Sequence, residues 1–275
     1  MKRIKILIIL GEPQSTFSEI LFKYFSSKKF LRSKKKIILI GSFDLLKIQM
    51  KKLKYKLNLK LVKNFEEAKI NQINILNVNY RINKVFSKIS PNSKNYISNC
   101  FRLGLKLVKN DKKIILINGP VSKTNFLKKK YLGITEYIAS KTNSKNQVML
   151  IYNEKISVSP LTTHLPIKQV AKNITKKKII DNIKQIKKFY ENLLNKRPKI
   201  AVLGLNPHCE TIDKISEEKK IIIPAIKFLK KIKLNIQGPY AADTFFLKKN
   251  IEKYDVVVGM YHDQVLTPLK TLYNF

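Results

Sequence analysis

The sequence predicts an α/β fold in which a parallel or mixed sheet is covered by helices on both faces. Short, β-branched apolar runs alternate with longer amphipathic, lysine-rich segments along most of the chain. Strands that alternate with helices in this way are typical of βαβ units. The 275 residues, of which 44% are hydrophobic, are enough to bury one large core or two smaller ones.

Six apolar runs are predicted to be strands, and four periodic segments are predicted to be helices. The strands are expected at residues 4–10, 36–40, 113–117, 148–152, 200–203 and 255–259. The helices are expected at 17–26, 91–109, 175–194 and 217–231. The second helix has a good start, because Ser90 can cap it and Pro91 suits its first position. Residues 58–84 are polar and weakly periodic, so no element is predicted there.

A division of the chain near residue 130 is expected. The basic stretch at 128–131 separates one α/β run from the next. We therefore expect a first domain at 1–130 and a second at 131–275, with no internal repeat.

Basic residues are in large excess, with 56 Lys and Arg against 18 Asp and Glu and a formal charge of +38. Such an excess can indicate a nucleic-acid surface or a lysine-rich composition. Because the lysines are spread almost evenly, without a basic tail, we interpret the charge as compositional and expect no specific nucleic-acid partner. Non-specific binding to polyanions at low salt is still expected. A basic nucleic-acid-binding protein is the alternative from a different functional class.

The two cysteines, Cys100 and Cys209, are isolated and lack CxxC spacing, so neither a disulfide framework nor a zinc ribbon is predicted. This fits a reducing compartment, and we expect a cytoplasmic protein. The apolar N-terminal run is interrupted by Lys5 and followed by Gly-Glu-Pro, which favours a buried strand over a signal peptide. No run approaches the roughly 20 apolar residues that span a membrane.

The glycine spacing excludes the common nucleotide-binding loops. The two nearest of the eight glycines, Gly119 and Gly133, are 14 residues apart. A G-x-G-x-x-G or G-x-x-x-x-G-K motif is therefore absent. If the protein binds a dinucleotide, it does so without a Rossmann glycine turn.

The chain has only three histidines, and each follows an apolar or extended stretch. His164 lies in SVSPLTTHLP, His208 in KIAVLGLNPHCE and His262 in YDVVVGMYHDQ. In open α/β sheets, ligands bind beyond the carboxyl ends of the strands. Three imidazoles with an open position are typical of a catalytic metal site. The alternative for each histidine alone is an ordinary surface or core residue.

Three carboxylates lie near these histidines in the sequence: Glu210, Asp243 and Asp263. Such groups can fix the tautomer of a ligand histidine. A three-histidine site also suits activation of water, so a metal-dependent hydrolase is a further alternative. A hydrolase would turn over without a nicotinamide cofactor.

Seven segments carry a family resemblance through most of the chain. In order they are GEP (11–13), NGPVSK (118–123), GITEY (133–137), TTHLP (162–166), GLNPH (204–208), GPYAADTFF (238–246) and MYHDQVLTPLK (260–270). Together they resemble the 4-hydroxythreonine-4-phosphate dehydrogenase family of vitamin B6 biosynthesis.

The resemblance implies an isocitrate/isopropylmalate-dehydrogenase-like fold of two α/β/α subdomains, which binds NAD or NADP without a Rossmann loop. It also implies a homodimer with the active site at the interface. One divalent metal per subunit (Zn, Mg, Co or Mn) would be held by histidines from both subunits. The implied reaction is oxidation of 4-phosphohydroxy-L-threonine, followed by decarboxylation.

The resemblance also assigns site residues. His164, His208 and His262 match the metal ligands, and Thr135 and Lys270 match substrate-contacting residues. Asp243 and Asp263 are candidates for proton transfer or for orienting a ligand histidine. For Asp243 a helix N-cap is the alternative. A solvated surface position is expected for Lys123.

The sequence departs from the family at three places. QSTFSEI follows GEP where the family usually has glycines and a proline. Ile134 replaces a histidine beside Thr135, which opens phosphoerythronate or phosphothreonate as alternative substrates. The family continues for several tens of residues beyond the position of Phe275, so we expect the chain to be a fragment of a longer coding sequence. A natural truncation that has lost activity is the alternative.

Overall fold

A computed structural model describes residues 5–111, 113–128, 130–131, 133–144, 146–209 and 215–273. The chain divides into two compact units, residues 1–144 (the first unit) and 145–275 (the second unit). The division follows Ser144 and does not fall near residue 130. The reason is that Tyr137 packs on Phe101 and Phe126, with ring centroids 5.4 and 5.1 Å apart. The segment after residue 130 thus completes the core of the first unit.

Strands and helices alternate along the first unit. The strands are β1 (Lys5–Ile9), β2 (Lys36–Gly41), β3 (Leu59–Leu61), β4 (Ile73–Asn77) and β5 (Ile114–Asn118). The helices are α1 (Phe17–Phe25), α2 (Lys28–Leu31), α3 (Phe43–Lys52), α4 (Lys94–Asn110) and α5 (Ile134–Thr142). A 3₁₀ turn at Pro91–Ser93 precedes α4, and a π-helical turn spans Lys123–Leu127. The strands form a parallel sheet in the order β3-β4-β2-β1-β5.

Both faces of the first sheet are buried. Leu7 and Ile9 of β1 point into a cluster that includes Phe101 of α4. Ile8 points to the opposite face, where it packs in a cluster with Phe22 of α1. A strand that is apolar on both faces requires helices on both sides, and the sequence of β1 has that character.

The second unit has the same alternation. Its strands are β6 (Ser157–Thr162), β7 (Ile200–Leu203), β8 (Ile236–Tyr240) and β9 (Val256–Tyr261). Its helices are α6 (Ile167–Asn173), α7 (Lys176–Phe189), α8 (Ile223–Lys231), α9 (Ala242–Phe245), α10 (Lys248–Ile251) and α11 (His262–Tyr273). π-Helical turns occur at Tyr190–Leu194 and Glu218–Ile222. The strands are parallel in the order β6-β9-β7-β8.

The second sheet is likewise covered on both faces. Val202 and Val258 pack in one cluster with Ile183 of α7. Ala201 of β7 packs on the other face, in a cluster with Leu269 of α11. The prediction of an α/β fold with helices on both faces is confirmed. Within the described ranges, the helices are too short or too polar to cross a bilayer.

The predicted strand at 148–152 is wrong. In this stretch only Ile151 forms a bridge, an antiparallel one to Val158. The strand of this region is β6, which was not predicted because of its two serines and a proline. The serine hydroxyls are satisfied internally: Ser159 Oγ donates to the carbonyl of Met149 at 2.7 Å. Pro160 is tolerated because β6 is an edge strand, where a missing N–H leaves no ladder bond unmade.

Residues 58–84, to which no element was assigned, contain β3 and β4. The polar residue that hides β4 is Asn74, which is fully buried. Its side-chain amide donates to the carbonyls of Ile37, Lys69 and Gln72 at 2.9–3.0 Å. Burying a side-chain amide costs little free energy when its hydrogen bonds are satisfied, but a local sequence pattern does not show which groups will satisfy them.

Candidate functional site

The carboxyl ends of the strands in the second unit carry four of the predicted site residues. His164 lies two residues after β6, and His262 follows β9 directly. His208 comes five residues after β7, and Asp243 three residues after β8. Because all four strands are parallel, these side chains share one edge of the sheet.

His164 and His262 form the closer pair. Their ring centroids are 5.9 Å apart, at the ends of neighbouring strands. Two imidazoles that bind one tetrahedral metal through nitrogen at about 2.1 Å have ring centres about 5 Å apart. Nδ1 of His262 lies 2.8 Å from Oδ1 of Asp263. With the ring N–H donating to this carboxylate, Nε2 of His262 is left as the ligand atom.

His208 pairs with Asp243, at a distance of 3.5 Å between Nδ1 and Oδ2. Both side chains are exposed, by 82% and 53%. Asp243 does not cap a helix: Ala241 occupies the N-cap of α9, and Asp243 lies in the first turn. Its position beside His208 therefore favours the orienting role over the capping one.

The structure thus brings the site residues together as two pairs. Among the residues described, no three His, Cys, Asp or Glu side chains are arranged to hold one metal ion. Glu210, the third predicted carboxylate, lies outside the described residues. The donor set of His164 and His262 fits a divalent metal, with further ligands to be supplied from elsewhere.

Two of the three histidines adopt a left-handed backbone conformation. φ is +55° at His164 and +56° at His208, and Cys209 follows with +56°. Non-glycine residues in this region cost about 1–3 kcal/mol each and cluster at functional sites. Interactions with the surrounding structure must therefore stabilise the backbone conformation of the turns that carry His164 and His208.

A buried carboxylate, Glu218, holds the turn that leads to His208. It is fully buried. Its Oε1 accepts the backbone N–H groups of Leu205 and Asn206 at 2.7 and 2.9 Å, and its Oε2 accepts Asn206 Nδ2 at 2.8 Å. This residue was not predicted from the sequence, because a Glu-Glu pair that opens a lysine-rich helix is typical of a solvated face. The sequence indicates its burial only by spacing: Ile222 and Ile226, four and eight residues after Glu218 on the same helix face, are both buried.

Gln264 ties the same turn to the end of β9. Its Nε2 donates to the carbonyl of Gly204 at 2.8 Å, and its Oε1 accepts the N–H of Met260 at 2.7 Å. Thr162 joins β6 to β9 by donating to the carbonyl of Met260 at 2.7 Å. A side chain of TTHLP thus bonds to the backbone of MYHDQ, and a side chain of MYHDQ bonds to the backbone of GLNPH.

The predicted substrate residues lie on two different units. Thr135 is exposed in the first turn of α5, in the first unit. Its neighbour Ile134 is half-buried and packs against the core of that unit, which explains why an apolar residue is accepted there. Lys270 is exposed in the last turn of α11, eight residues after His262 and so about 12 Å along the helix axis. Lys123 is exposed, as predicted.

Neither cysteine is poised as a nucleophile. Both are free thiols. Burial raises the pKa of Cys100 to about 12, and burial also raises the pKa of Cys209. Thiols that stay protonated at neutral pH are poor nucleophiles.

The carboxyl edge of the first sheet brings the GEP and NGPVSK segments together. Gly11 has φ +72°, and the N–H of Glu12 donates to the carbonyl of Pro120 at 2.8 Å. The Glu12 side chain is buried and accepts Ser93 Oγ at 3.0 Å. Burial raises the pKa of Glu12, while its hydrogen bonds oppose the shift. The N–H of Ser15 donates to the carbonyl of Glu12 at 3.1 Å, so the residues after GEP form a turn despite the missing glycines.

A cleft of about 880 Å³ opens at the same edge of the first unit. It is lined by Gln14 after β1, by Asn79 after β4 and by Asn92 and Asn95 at the start of α4. Ligand pockets commonly have volumes of about 300–1,000 Å³. The cleft is large enough for a dinucleotide.

Comparison with known proteins identifies a family. Residues 33–274 match the family model described as pyridoxal phosphate biosynthetic protein PdxA. A 4-hydroxythreonine-4-phosphate dehydrogenase of Sulfurihydrogenibium sp. (strain YO3AOP1) is 34% identical over 273 residues, which cover 98% of this chain and 83% of the relative. The match includes the segments that carry all three histidines.

A solved structure and a second relative add to this comparison. The structure of a 4-hydroxythreonine-4-phosphate dehydrogenase from Burkholderia phymatum matches with a TM-score of 0.86 at 23% identity, over 99% of this chain and 84% of that one. This likeness shows the fold. A protein of Oceanobacillus iheyensis, provisionally named a D-threonate 4-phosphate dehydrogenase, is 32% identical over 191 residues, which cover 68% of this chain and 58% of the relative.

Proposed function

The chain belongs to the PdxA family of pyridoxal phosphate biosynthetic proteins, and on this premise we propose that it oxidises 4-phosphohydroxy-L-threonine. The product, 2-amino-3-oxo-4-phosphooxybutanoate, decarboxylates to 3-amino-2-oxopropyl phosphate in pyridoxine 5'-phosphate biosynthesis. The observation that carries the proposal is the edge of the second sheet, where His164, His208 and His262 follow three adjacent parallel strands. Relatives named for this activity support the choice of substrate.

Three histidines would hold the divalent metal: His164, His208 and His262. The 5.9 Å separation of the His164 and His262 rings supports their sharing one ion. The exposure of the His208 imidazole supports a homodimer in which the histidines of two subunits complete each site. Zn, Co, Mn and Mg are all compatible with such ligands when oxygen donors are added.

The groups that carry the chemistry would act on the substrate's secondary alcohol. When bound, the metal supplies Lewis-acid chemistry toward that hydroxyl, and NAD or NADP supplies the hydride acceptor. Asp263 would keep the His262 ring in one tautomer, and Asp243 would do the same for His208 or take up a proton. A cytoplasmic location is consistent with two free thiols.

Lys270 and Thr135 would position the substrate. The ammonium group of Lys270, which lies on α11 like His262, would neutralise the substrate phosphate or carboxylate. The Thr135 hydroxyl would donate or accept one hydrogen bond.

The test is an assay of the purified full chain with each metal, NAD or NADP, and 4-phosphohydroxy-L-threonine. We expect reduced nicotinamide to form only with metal present, and His164→Ala and His262→Ala to lose bound metal as measured by elemental analysis. Lys270→Ala should raise KM, whereas Lys248→Ala, an exposed lysine of α10, should leave it unchanged. Turnover without a nicotinamide cofactor would instead support the hydrolase alternative.

A second substrate class is favoured by one observation, the isoleucine at position 134. The side chain of Ile134 packs against the core of the first unit. Being apolar, it cannot form a hydrogen bond to a substrate. A relative provisionally named for D-threonate 4-phosphate has 32% identity with this chain. Measuring kcat/KM for 4-phosphothreonate and 4-phosphoerythronate beside 4-phosphohydroxy-L-threonine decides between them. A lack of activity with 4-phosphohydroxy-L-threonine would contradict the proposal that this compound is the substrate.

A further inference from the structure

A small cavity in the first unit lies beside the buried side chain of Glu12. Its volume is about 10 Å³. Its polar lining includes Glu12 and Ser15 from the turn after β1, Ser18 of α1 and Gln49 of α3. A water molecule needs about 10–15 Å³ of such space. The cavity therefore has the size of one water molecule and of no larger ligand.

The hydroxyl of Ser18 is the unusual group in this lining. Ser18 is 6% exposed, and its Oγ is buried without a hydrogen bond to any group that the structure describes. Native proteins rarely leave a buried hydroxyl without a partner, because the group has lost its bonds to water. Since Ser18 lines the cavity, a ligand inside the cavity can supply the bond.

The other polar side chains around the cavity are already held in place. Ser93 Oγ donates to Glu12 Oε2 at 3.0 Å, and the N–H of Gln14 donates to Glu12 Oε1 at 3.4 Å. Gln49 Nε2 donates to the carbonyl of Pro13 at 2.8 Å. Carboxyl and amide oxygens each accept more than one hydrogen bond, so Glu12 and Gln49 can also accept from a ligand.

The chemistry of the lining favours a neutral ligand. None of the described residues that line the cavity is basic, so an anion would have no opposite charge there. The apolar side chains of Leu10, Leu45 and Leu46 complete much of the lining. A hard cation that collects six or more oxygen ligands would therefore be poorly coordinated. Water can use a few polar groups, because a buried water typically makes about three hydrogen bonds.

We propose that this cavity binds one structural water molecule, which joins Ser18 of α1 to Glu12 and to Gln49 of α3. The Ser18 hydroxyl donates to the water, and the water donates to the Glu12 carboxyl and to Gln49 Oε1. The water thus satisfies the Ser18 hydroxyl and connects two helices to the GEP segment at the carboxyl edge of the first sheet. The inference does not depend on the proposed dehydrogenase function.

The direct test is a crystal structure of the full chain at a resolution that shows ordered water. We expect a peak at hydrogen-bonding distance, about 2.6–3.2 Å, from Ser18 Oγ and from a carboxyl oxygen of Glu12. A map in which Ser18, Glu12 and Gln49 are well ordered and the cavity holds no density would overturn the proposal.

A test in solution compares the unfolding of Ser18→Ala and Ser98→Ala in urea. Ser98 is a half-buried serine of α4, so both variants exchange serine for alanine within a helix and gain the same helix propensity. Because Ser18→Ala removes one bond of the water, we expect its unfolding equilibrium constant to be about fivefold higher than that of Ser98→Ala. We expect the same ratio in NaCl and in KCl at equal ionic strength.

Two results of the urea experiment would contradict the proposal. If the cavity is dry, Ser18→Ala removes an unpartnered buried hydroxyl, and the variant should be as stable as Ser98→Ala or more stable. If the ligand is a monovalent cation, the difference between the two variants should change when K⁺ replaces Na⁺. A higher unfolding constant for Ser18→Ala that is the same with both cations would support a bound water.

Discussion

At the scale of single residues, Glu218 is the side chain on which the shape of the site depends most. A carboxylate that is removed from water is costly unless its oxygens are bonded. Both oxygens of Glu218 accept bonds, and two of the donors are backbone N–H groups of the turn between β7 and His208. The same turn receives Gln264 from α11. The position of His208 is therefore coupled to the side chains of Glu218 and Gln264.

Replacing Glu218 by alanine should destabilise the protein and loosen this turn. Two partly buried backbone N–H groups would lose their acceptor, so we expect the free energy of unfolding to fall by about 2–4 kcal/mol in denaturant titrations. Metal affinity should fall as well. The control is Glu217→Gln: Glu217 is half-buried and contacts only the Asn206 amide among these groups, so a change within about 0.5 kcal/mol is expected. Equal losses in both variants would contradict the role of Glu218.

The location of the three histidines at one edge of the sheet was predictable, because histidine is rare in this chain and each one follows a predicted strand or an extended stretch. Three histidines among 275 residues, each following an apolar or extended stretch, indicate from the sequence alone that one edge of the sheet binds a ligand. Their pairing was not predictable, since it depends on the strand order β6-β9-β7-β8, which brings the ends of β6 and β9 together. Glu218 lies in register with the buried Ile222 and Ile226, but the sequence does not show that backbone N–H groups of the turn after β7 bond to its carboxylate.

At the scale of elements, the ends of β1 and β5 approach each other more closely than a side chain allows. A Cβ atom on Gly119 would lie 2.3 Å from the carbonyl oxygen of Leu10, which is backbone and cannot rotate away. A Cβ atom on Gly11 would lie 2.3 Å from the carbonyl oxygen of Pro120. The glycines of GEP and NGPVSK thus permit two strands to end side by side at the carboxyl edge of the sheet.

Gly119→Ala should therefore be strongly destabilising. We expect a loss of about 2 kcal/mol or more, because the two strand ends must separate to admit the methyl group. Gly133→Ala is the matched control: its new Cβ would meet only the flexible end of Glu136, at 3.1 Å, so a loss below about 1 kcal/mol is expected. Thermal unfolding of both variants measures the difference. A Gly119→Ala protein as stable as the control would show that the strand ends can move apart.

The strands also show where a sequence pattern suffices to predict an element. β1, β2, β7 and β9 are nearly continuous apolar runs and were predicted within one or two residues, because both of their faces are buried. β4, β6 and β8 were missed because polar residues, Pro or Gly interrupt their apolar pattern. In β4 and β6, polar side chains bond to neighbouring strands. Asn74 bonds to β2, and Thr162 bonds to β9. Non-local bonds of this kind are not visible in a local pattern.

At the scale of the whole molecule, the two units each have their own sheet and their own cores, and the excess positive charge lies on both. Few lysines in the described residues form ion pairs; those that do are Lys5, Lys23, Lys187 and Lys196. Apart from the cleft of the first unit, the cations do not concentrate in one stripe of the sequence. A spread of this kind favours attraction to any polyanion over recognition of a particular one.

Binding to double-stranded DNA should therefore be unspecific and strongly dependent on salt. We expect two duplexes of unrelated sequence to bind equally at low salt, since phosphate contacts carry no sequence information. Affinity should fall by about 10³-fold or more between roughly 50 and 200 mM salt if six or more phosphates are neutralised. Fluorescence anisotropy with both duplexes over a salt series measures this. Binding that survives moderate salt and prefers one duplex would instead support the nucleic-acid alternative, because only contacts to base edges or to sequence-dependent DNA shape would produce that preference.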